Sequence, residues 1–255
     1  MKLNRTVMRA IDILDALSKK KEGYTIAQLT ELLDAPKTSV YDILKTLQHR
    51  NMIIEESIRG SRVYKMGLQS FLIGSSYLNE IDFSKVAIPY LEELAERMHA
   101  TTFMAVMNDY QVAYIYKHES SKSIITTANV GTRRPVNEAA LGKSIIAFAS
   151  DQVIRDTIAH TEFKPITKRT ITSVERFIDE IKMVREKGYA IDDRENNDIQ
   201  VCAAAPIWNA KGEVVASISC VGCYDKLLNL DELGKEVKKV ADEISRILGY
   251  RNEWR

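Results

Sequence analysis

The sequence predicts an α+β protein. Helices occupy the first third of the chain, and an antiparallel sheet flanked by helices follows. In the first third of the chain, apolar residues recur every three or four positions, as in amphipathic helices. Beyond residue 100, short strand patterns separated by turn residues stand on both sides of a helical block. No GxGxxG or P-loop sequence accompanies them, so a Rossmann-type sheet is not indicated.

Length and composition are those of an ordinary folded protein with two domains. A chain of 255 residues, 45% hydrophobic and 28% charged, can bury a core in each of two domains. The cysteines (Cys202, Cys220 and Cys223) are too few for a disulfide framework, and the sequence shows neither a signal peptide nor an apolar run of membrane-spanning length. We therefore expect a cytoplasmic protein without membrane contact.

The first 66 residues predict three short helices. The apolar face of the first comprises Val7, Ile11, Leu14 and Leu17, and that of the second comprises Ile26, Leu29, Leu32 and Leu33. A third helix begins at Ala35 and Pro36, because proline is favoured in a first turn, where its missing N–H has no partner to lose. Its apolar face comprises Val40, Ile43, Leu44 and Leu47.

A β-hairpin pattern follows the third helix. The segment NMIIEESIRGSRVYKMG predicts two strands joined by a turn at residues 59–61. Three helices with a tight turn between the second and third, followed by such a hairpin, are the plan of a winged helix-turn-helix, which binds DNA. The alternative is a packing module whose third helix faces solvent or a partner protein.

The expected DNA contacts lie on the third helix and the hairpin. The helix residues that would reach base edges or phosphates in the major groove are Thr38, Tyr41, Asp42 and Lys45. Phosphates near the helix N-terminus would be bound by Lys37 and Ser39, and the flanking backbone by Arg59 and Arg62. Residues 1–66 hold 12 Lys/Arg against 8 Asp/Glu, and the rest of the chain holds 24 against 27. The charge balance therefore favours binding to a polyanion only in residues 1–66.

Residues 67–82 predict a linker helix between the DNA-binding domain (1–66) and a second domain (83–255). Its loose apolar stripe comprises Leu68, Leu72, Ile73 and Leu78. Such a stripe indicates either a contact with a second copy of the chain or packing on the second domain of the same chain.

The second domain predicts strands, then helices, then strands and a final helix. The strand patterns cover 101–119 with a turn at Asn108 and Asp109, 123–131, 189–193, 199–208 and 213–222. The helix patterns cover 82–99, 139–150, 151–160, 170–188 and 230–248. The helix over 170–188 has a predicted capping box of Thr172 with Glu175 and ends at Gly188. This order favours an antiparallel sheet covered by helices.

Over nearly its whole length the chain resembles IclR-family transcriptional regulators. The resemblance rests on the winged helix, on VGTRRPVNEAALGKSIIAF (130–148), on EKGYAIDDRENNDIQVCAAAPIWNAKGEVVASISCVG (186–222) and on the closing helix. It implies a dimer, or a dimer of dimers, that binds operator DNA and holds a small effector in a GAF-like domain. Family habit makes a repressor of a catabolic operon the expectation, with no cofactor and no metal.

The resemblance also implies the pocket. The family's pocket positions fall here on Ala140, Leu141, Asp192, Cys202 and Ser219, with further positions on Ser123, Thr126 and Arg134. The sequence departs from the family at Asn137, where members often carry histidine. Amides at the start of a helix favour an anion, and with Ser219 and Arg134 they would hold a carboxylate, while Asp192 would accept a hydrogen bond from a ligand hydroxyl. A polar organic or sugar acid is the resulting hypothesis; the alternative leaves these side chains facing solvent.

Two rival functions stay open at this point. The CVGC segment at 220–223 has the spacing of redox and zinc sites, but it lacks a second pair or histidines, and Cys202 could act as a nucleophile. No GxSxG or HExxH motif accompanies the four histidines (His49, His99, His118 and His160), so an enzyme is not favoured. The other rival is a scaffold that uses the winged helix for protein contacts.

Overall fold

The computed structural model describes residues 3–58, 60–80, 82–123, 128–225 and 229–251, apart from the side chains of 76–80 and 82. The chain divides into two compact units, Met1–Ile81 and Asp82–Arg255. The division falls next to the end that we predict for the linker helix, and that helix is grouped with the first unit.

The first unit begins with the three expected helices. They are α1 (Arg5–Ser18), α2 (Ile26–Leu32) and α3 (Lys37–His49). The Asn4 side chain accepts hydrogen bonds from the first turn of α1, and Thr25 forms a capping box with Gln28 at the start of α2. Pro36 precedes the first residue of α3, so its missing N–H costs the helix no hydrogen bond.

The predicted hairpin consists of β1 (Ile53–Ile58) and β2 (Ser61–Met66). Ile58 pairs with Ser61, so the connection is two residues long. One of those residues, Gly60, has φ +79°, a conformation that a side chain would strain. After the hairpin, a Cβ at Gly67 would lie 2.3 Å from the Asn51 carbonyl oxygen, so only glycine allows this close return of the chain.

The core of the first unit differs from the predicted face of α1. Val7 and Ile11 of the predicted face are more than half exposed, whereas Leu17 is buried and Leu14 packs partly buried beside the core; α1 also buries Ile13 and Ala16. Leu32 of α2 is exposed as well. On α1, periodicity therefore predicts the Leu14 and Leu17 part of the buried face and misses Ile13 and Ala16. The predicted face of α3 is confirmed, since Val40, Ile43 and Leu44 are buried and Leu47 packs beside them.

Helix α4 (Leu68–Glu80) follows the hairpin. The Ser70 hydroxyl donates to the Met52 carbonyl oxygen at 2.8 Å, and the Gln69 N–H donates to that of Asn51 at 3.2 Å. The start of α4 is therefore fixed to the base of the hairpin.

The second unit is built on one antiparallel sheet. Among the described residues its order is β5-β4-β3-β8-β7-β6. The strands are β3 (Thr101–Asn108), β4 (Gln111–Glu119), β5 (Arg133–Pro135), β6 (Ala190–Asp193), β7 (Gln200–Trp208) and β8 (Val214–Cys223). The helices are α5 (Asp82–Met98), α6 (Ala140–Ile146), α7 (Asp151–Ala159), α8 (Val174–Lys187) and α9 (Leu230–Ile247).

The sheet separates two cores. On one face, α5 and α9 pack through residues such as Leu91 and Val237. On the other, α6, α7 and α8 pack through residues such as Leu141, Ile154 and Phe177. Alternation along the strands assigns residues to these faces: Ala203 and Ala205 to the first, Ala204 to the second. A sheet with both faces covered explains why β7 has few polar residues.

Three local predictions for this unit are wrong. The β3–β4 turn residues are Asp109 and Tyr110, both with positive φ, rather than Asn108 and Asp109. Residues 128–131 form a turn region and the strand comes later, at β5, whereas 124–127 lie outside the described residues. The α8 cap is Ser173, whose hydroxyl oxygen accepts from the Arg176 N–H; the helix starts one residue later than a Thr172 cap requires. Gly188 does end α8, with φ +80°.

Candidate nucleic-acid interface and ligand pocket

One face of α3 is free of packing within its unit. Thr38, Tyr41, Asp42 and Lys45 are exposed, as is Lys37 at the helix start. Ser39 is half-buried, and its hydroxyl oxygen accepts a hydrogen bond from Arg9 Nη1 of α1 at 3.2 Å. Ser39 therefore already has a partner on α1 that a phosphate contact would have to share or replace.

The wing extends this face. Lys45 Nζ lies 3.4 Å and Arg62 Nε 3.5 Å from the two carboxylate oxygens of Glu55 on β1. Arg62 is highly exposed near the hairpin turn, whereas Arg59 lies outside the described residues. Lys45 of the helix and Arg62 of the wing thus lie around one carboxylate, on the side of the hairpin that also carries the buried Tyr64.

A narrow cavity lies in the second unit, between the sheet and the start of α6. Asp192 and Cys202 are direct cross-strand partners on β6 and β7, and Ser219 of β8 pairs with both Ala204 and Phe103. The cavity measures about 40 Å³. Its wall includes Arg134, Glu138, Ala140, Leu141, Asp192, Asn196, Asn197, Gln200, Cys202 and Ser219.

Six of the eight predicted pocket residues lie at this cavity: Arg134, Ala140, Leu141, Asp192, Cys202 and Ser219. Ala140 and Leu141 are the first residues of α6, so their N–H groups have no acceptor within the helix. Ser123 is not part of the wall; its hydroxyl lies 2.9 Å from that of Thr101. Thr126 lies outside the described residues.

Two polar atoms in the wall are buried without a hydrogen-bond partner among the described residues. They are Ser219 Oγ and Asn196 Nδ2. The polar neighbour of Ser219 is the Cys202 thiol, which is a weak partner. Buried donors and acceptors are normally satisfied, so the wall has spare hydrogen-bonding capacity for a polar ligand.

A buried charge cluster supports this wall from behind, and the sequence did not reveal it. Lys143 of α6 is fully buried, and its ammonium lies 2.9 Å from Glu180 Oε1 of α8 and 2.9 Å from both carboxylate oxygens of Glu195. It also donates to the Ile191 carbonyl oxygen. The available signal was a lone lysine in the apolar run AALGKSIIAF, on a short helix with no polar face.

Burial and charge act on the carboxyls of this cluster. Burial raises the pKa of Glu195 to about 7, against the opposing effect of Lys143. Burial also raises the pKa of Asp192, although Lys143 and the backbone N–H of Glu195, 2.7 Å from Asp192 Oδ1, oppose the shift. Lys143 keeps a raised pKa because Glu195 and Glu180 outweigh the burial that would lower it. Asp192 therefore faces the cavity beside a fixed cation.

The loop between β6 and β7 closes one side of the cavity. The Glu195 carbonyl oxygen accepts from the Thr170 hydroxyl at 2.6 Å, and the Arg194 carbonyl oxygen from the Thr167 hydroxyl at 2.7 Å. Arg194 has φ +62° and its guanidinium lies 3.6 Å from the centre of the Tyr224 ring. Beyond these anchors, Asn197 is exposed at the cavity mouth.

The cysteines do not form a metal or redox pair. Residues three apart on a strand project to opposite faces; Cys220 is buried in one core, whereas Cys223 is exposed at the end of β8. Burial, followed by the charge of Asp192, raises the pKa of the Cys202 thiol well above its usual range, which disfavours a nucleophilic thiolate. Within the described residues, no group of His, Cys, Asp and Glu side chains could hold a metal ion.

Two other observations bear on the predictions. Asn137, where the family often carries histidine, is fully buried, and its amide donates to the Ile171 carbonyl oxygen at 3.3 Å; it belongs to the core rather than to the cavity wall. No helix in the described parts of the chain is long and apolar enough to cross a membrane.

Comparison with family models identifies both units. The model for the IclR helix-turn-helix domain matches residues 6–55, and the model for the bacterial transcriptional regulator IclR C-terminal domain matches residues 75–246. The second match alone covers more than half of the chain.

Curated relatives and solved structures agree with these matches. The chain is 27% identical to the HTH-type transcriptional regulator XynR of Escherichia coli, with 98% of this chain and 99% of that protein covered. It is 28% identical to the DNA-binding transcriptional repressor YiaJ of E. coli, covering 97% and 89%. The crystal structure of Thermotoga maritima IclR superposes with a TM-score of 0.75 at 27% identity, covering 96% and 99%.

Proposed function

Since this chain belongs to the IclR family of DNA-binding transcriptional regulators rather than to an enzyme family, we propose that it represses a catabolic operon and that a small carboxylate or sugar acid in the cavity of its second unit controls its binding to DNA. The regulator YiaJ, similar over nearly the whole chain, is named as a repressor. This similarity supports the sign of the proposed regulation.

The effector proposal rests on the polar groups in the cavity wall. Ser219 Oγ has only the weak partner Cys202, Asn196 Nδ2 has no hydrogen-bond partner among the described residues, and Asp192 is a buried acceptor beside them. Arg134 supplies the charged donors suited to a carboxylate. A ligand that combines a carboxylate with hydroxyl groups would satisfy donors and acceptors together, whereas an apolar ligand would leave them unpaired.

Because the cavity is small, ligand binding would require a conformational change. Ligand pockets usually measure about 300–1,000 Å³, whereas this cavity of about 40 Å³ has room for only a few water molecules. The loop of residues 194–199, whose Asn196 and Asn197 face the cavity, must move outward to admit an organic acid. Ligand binding would therefore shift a conformational equilibrium of this loop and its neighbours.

The proposed DNA contacts are those of α3 and the wing. Thr38, Tyr41, Asp42 and Lys45 would enter the major groove, and Lys37, Ser39, Arg59 and Arg62 would bind phosphates. Their support is the exposed face of α3 and the exposed position of Arg62. In this mechanism, effector binding changes the affinity of paired winged helices for paired half-sites.

We also propose that α4 contacts a second copy of the chain. Leu68, Phe71 and Leu72 of α4 are 69%, 68% and 50% exposed, which is costly for an isolated helix in water. A symmetric pair would bury this stripe. Replacing Phe71 and Leu72 by serine should weaken the dimer in analytical ultracentrifugation, whereas the exposed, charged Arg155→Ser on α7 should leave its dissociation constant unchanged.

A ligand screen tests the effector proposal. Thermal unfolding of the full chain is followed with a panel of hydroxylated, sugar-derived and aromatic carboxylates, since a ligand that binds the folded state raises the melting temperature. A polar acid should give the largest shift, and Asp192→Asn should abolish it. Strongest stabilisation by an apolar aromatic acid, or an unchanged shift in Asp192→Asn, would contradict the proposed chemistry.

A further inference from the structure

One carboxylate, that of Glu55, joins the two elements of the proposed DNA face. We propose that Glu55 is a positioning residue that sets DNA specificity: it holds Lys45 of α3 and Arg62 of the wing in place, and its charge weakens their binding to non-specific DNA. The inference rests on the proposed DNA face.

The geometry makes Glu55 the fixed member of this group. Its two carboxylate oxygens face different cations, Lys45 Nζ at 3.4 Å and Arg62 Nε at 3.5 Å. The Glu55 side chain is only 17% exposed, against 43% for Lys45 and 77% for Arg62. Glu55 is therefore the least exposed member of the group, and its carboxylate lies between the two cations as their anchor.

The surroundings of Glu55 hold the anchor in place. Glu55 is the direct cross-strand partner of Tyr64, which is buried in the core of the first unit. Burial raises the pKa of Tyr64, and the negative charge of Glu55 and the hydrogen bond that its carboxylate accepts from the Tyr64 hydroxyl raise it further. Tyr64 in turn exchanges backbone hydrogen bonds with Tyr24 at 2.8 and 3.1 Å. The carboxylate is thus tied to the rigid base of the domain rather than to the tip of the wing.

This arrangement separates specific from non-specific binding. Non-specific affinity comes almost entirely from cations that meet phosphates, and a carboxylate within 3.5 Å of two such cations competes with every phosphate. At a matching sequence, Lys45 and Arg62 are already held near the positions in which base and backbone contacts are made. Penalising the wrong partner is a general route to specificity.

The adjacent residue provides a matched control. Glu56 carries the same charge one position along β1, on the opposite side of the hairpin, where its Oε2 lies 2.6 Å from Lys65 Nζ. Within the described part of the chain it forms no ion pair or hydrogen bond with α3 or Arg62. Glu56→Gln therefore reproduces the change in net charge without releasing Lys45 or Arg62.

The experiment measures the specificity ratio of the full chain. A 30-base-pair duplex selected from a random library by the parent protein serves as specific DNA, and poly(dI-dC) as non-specific DNA. Dissociation constants are measured for the parent, Glu55→Gln, Glu56→Gln, the double variant Lys45→Met/Arg62→Met, and that double variant combined with Glu55→Gln. Circular dichroism and thermal unfolding establish that each variant is folded.

Glu55→Gln should lower the ratio of specific to non-specific affinity about fivefold, the equivalent of two exposed ion pairs, with tighter binding to poly(dI-dC). Glu56→Gln should leave the ratio near that of the parent. In the Lys45→Met/Arg62→Met background, Glu55→Gln should have no further effect on the ratio, because the groups through which it acts are gone.

Three results would overturn the proposal: equal effects of Glu55→Gln and Glu56→Gln, an unchanged ratio in Glu55→Gln, or an undiminished effect in the Lys45→Met/Arg62→Met background. If Glu55→Gln does not fold, Glu55→Asp replaces it; Asp keeps the charge but is one methylene shorter, so the proposal then requires a lower affinity for the selected duplex. Failure of the parent to select any sequence would instead count against the DNA face itself.

Discussion

Two charged clusters of the molecule differ mainly in their exposure to water. On the proposed DNA face, Glu55 faces two cations that are 43% and 77% exposed. Behind the ligand cavity, Lys143 is 0% exposed, with Glu180 and Glu195 only 19% and 12% exposed. Exposed pairs are weak and can exchange partners with phosphate. A buried pair cannot exchange, and breaking it leaves an uncompensated charge.

Because they differ in exposure, the two clusters of ion pairs have different roles. In the exposed cluster, water screens the ion pairs with Glu55 and can replace them. Its cations are therefore available to bind a polyanion. The buried cluster joins α6, α8 and the loop after β6, and so fixes the wall that carries Asp192.

The largest effect is expected from Lys143→Met. The variant leaves Glu180 and Glu195 buried without their cation, which should cost about 3–5 kcal/mol in the free energy of unfolding. The matched control is Lys182→Met, since Lys182 of α8 pairs with Asp179 at 3.0 Å with both side chains mostly exposed. Urea denaturation should show a change of less than about 1 kcal/mol in that control; equal losses in the two variants would remove the contrast.

The next-largest effect expected is a dependence of the free energy of unfolding on pH. Because burial raises the folded-state pKa of Glu195 to about 7, from about 4.5 for a glutamate in the unfolded chain, the folded state binds the proton more tightly than the unfolded state. The contribution of Glu195 to stability is therefore full below about pH 4.5 and declines as pH rises towards 7. Over pH 5–7 the loss is about 2 kcal/mol.

Urea denaturation at several pH values measures this slope. The groups around Glu195 are Lys143, Asp192 and Glu180, and the Thr170 hydroxyl binds its carbonyl oxygen. Glu195→Gln should flatten the profile over pH 5–7, whereas the exposed Glu162→Gln should not. A parent profile that rises across this range would show that the Lys143 charge outweighs burial.

The smallest effect is expected on the DNA face. Lys45→Ala should weaken binding to a selected duplex by about 1–2 kcal/mol and reduce the slope of log K against log salt by about 1, because one phosphate or base contact is lost. Replacement of Arg59, the other predicted wing contact, should act in the same direction. Lys211→Ala, an exposed lysine on the β7–β8 connection of the second unit, should change neither quantity in a fluorescence anisotropy titration.

The sequence predicted the exposed cluster better than the buried one, for a physical reason. Helix and hairpin patterns depend on local spacing and turn residues, so the apolar face of α3 and the turn at Gly60 were predictable. The exposed side of α3 follows from its apolar side. Residue spacing on α1 fits more than one stripe, and only tertiary packing decides for Ile13 and Ala16, beside the predicted Leu17, over Val7 and Ile11.

The buried cluster depends on contacts between distant segments. Lys143 meets Glu180 and Glu195, 37 and 52 residues later in the chain, and no local pattern relates them. Asp192 and Cys202 were placed at one wall through the family resemblance, and their direct cross-strand pairing is what brings them together. Ser123 was placed there by the same resemblance, yet its hydroxyl faces that of Thr101.

The central claim is that the cavity and the DNA face are coupled. Its most direct test is the affinity of the full chain for a selected duplex, with and without a saturating polar carboxylate that raises its melting temperature. For a repressor the carboxylate should weaken DNA binding at least about fivefold, and DNA should weaken carboxylate binding by the same factor. Asp192→Asn should bind DNA as the parent does and show no response. Equal DNA affinity of the parent with and without the bound carboxylate would contradict the coupling.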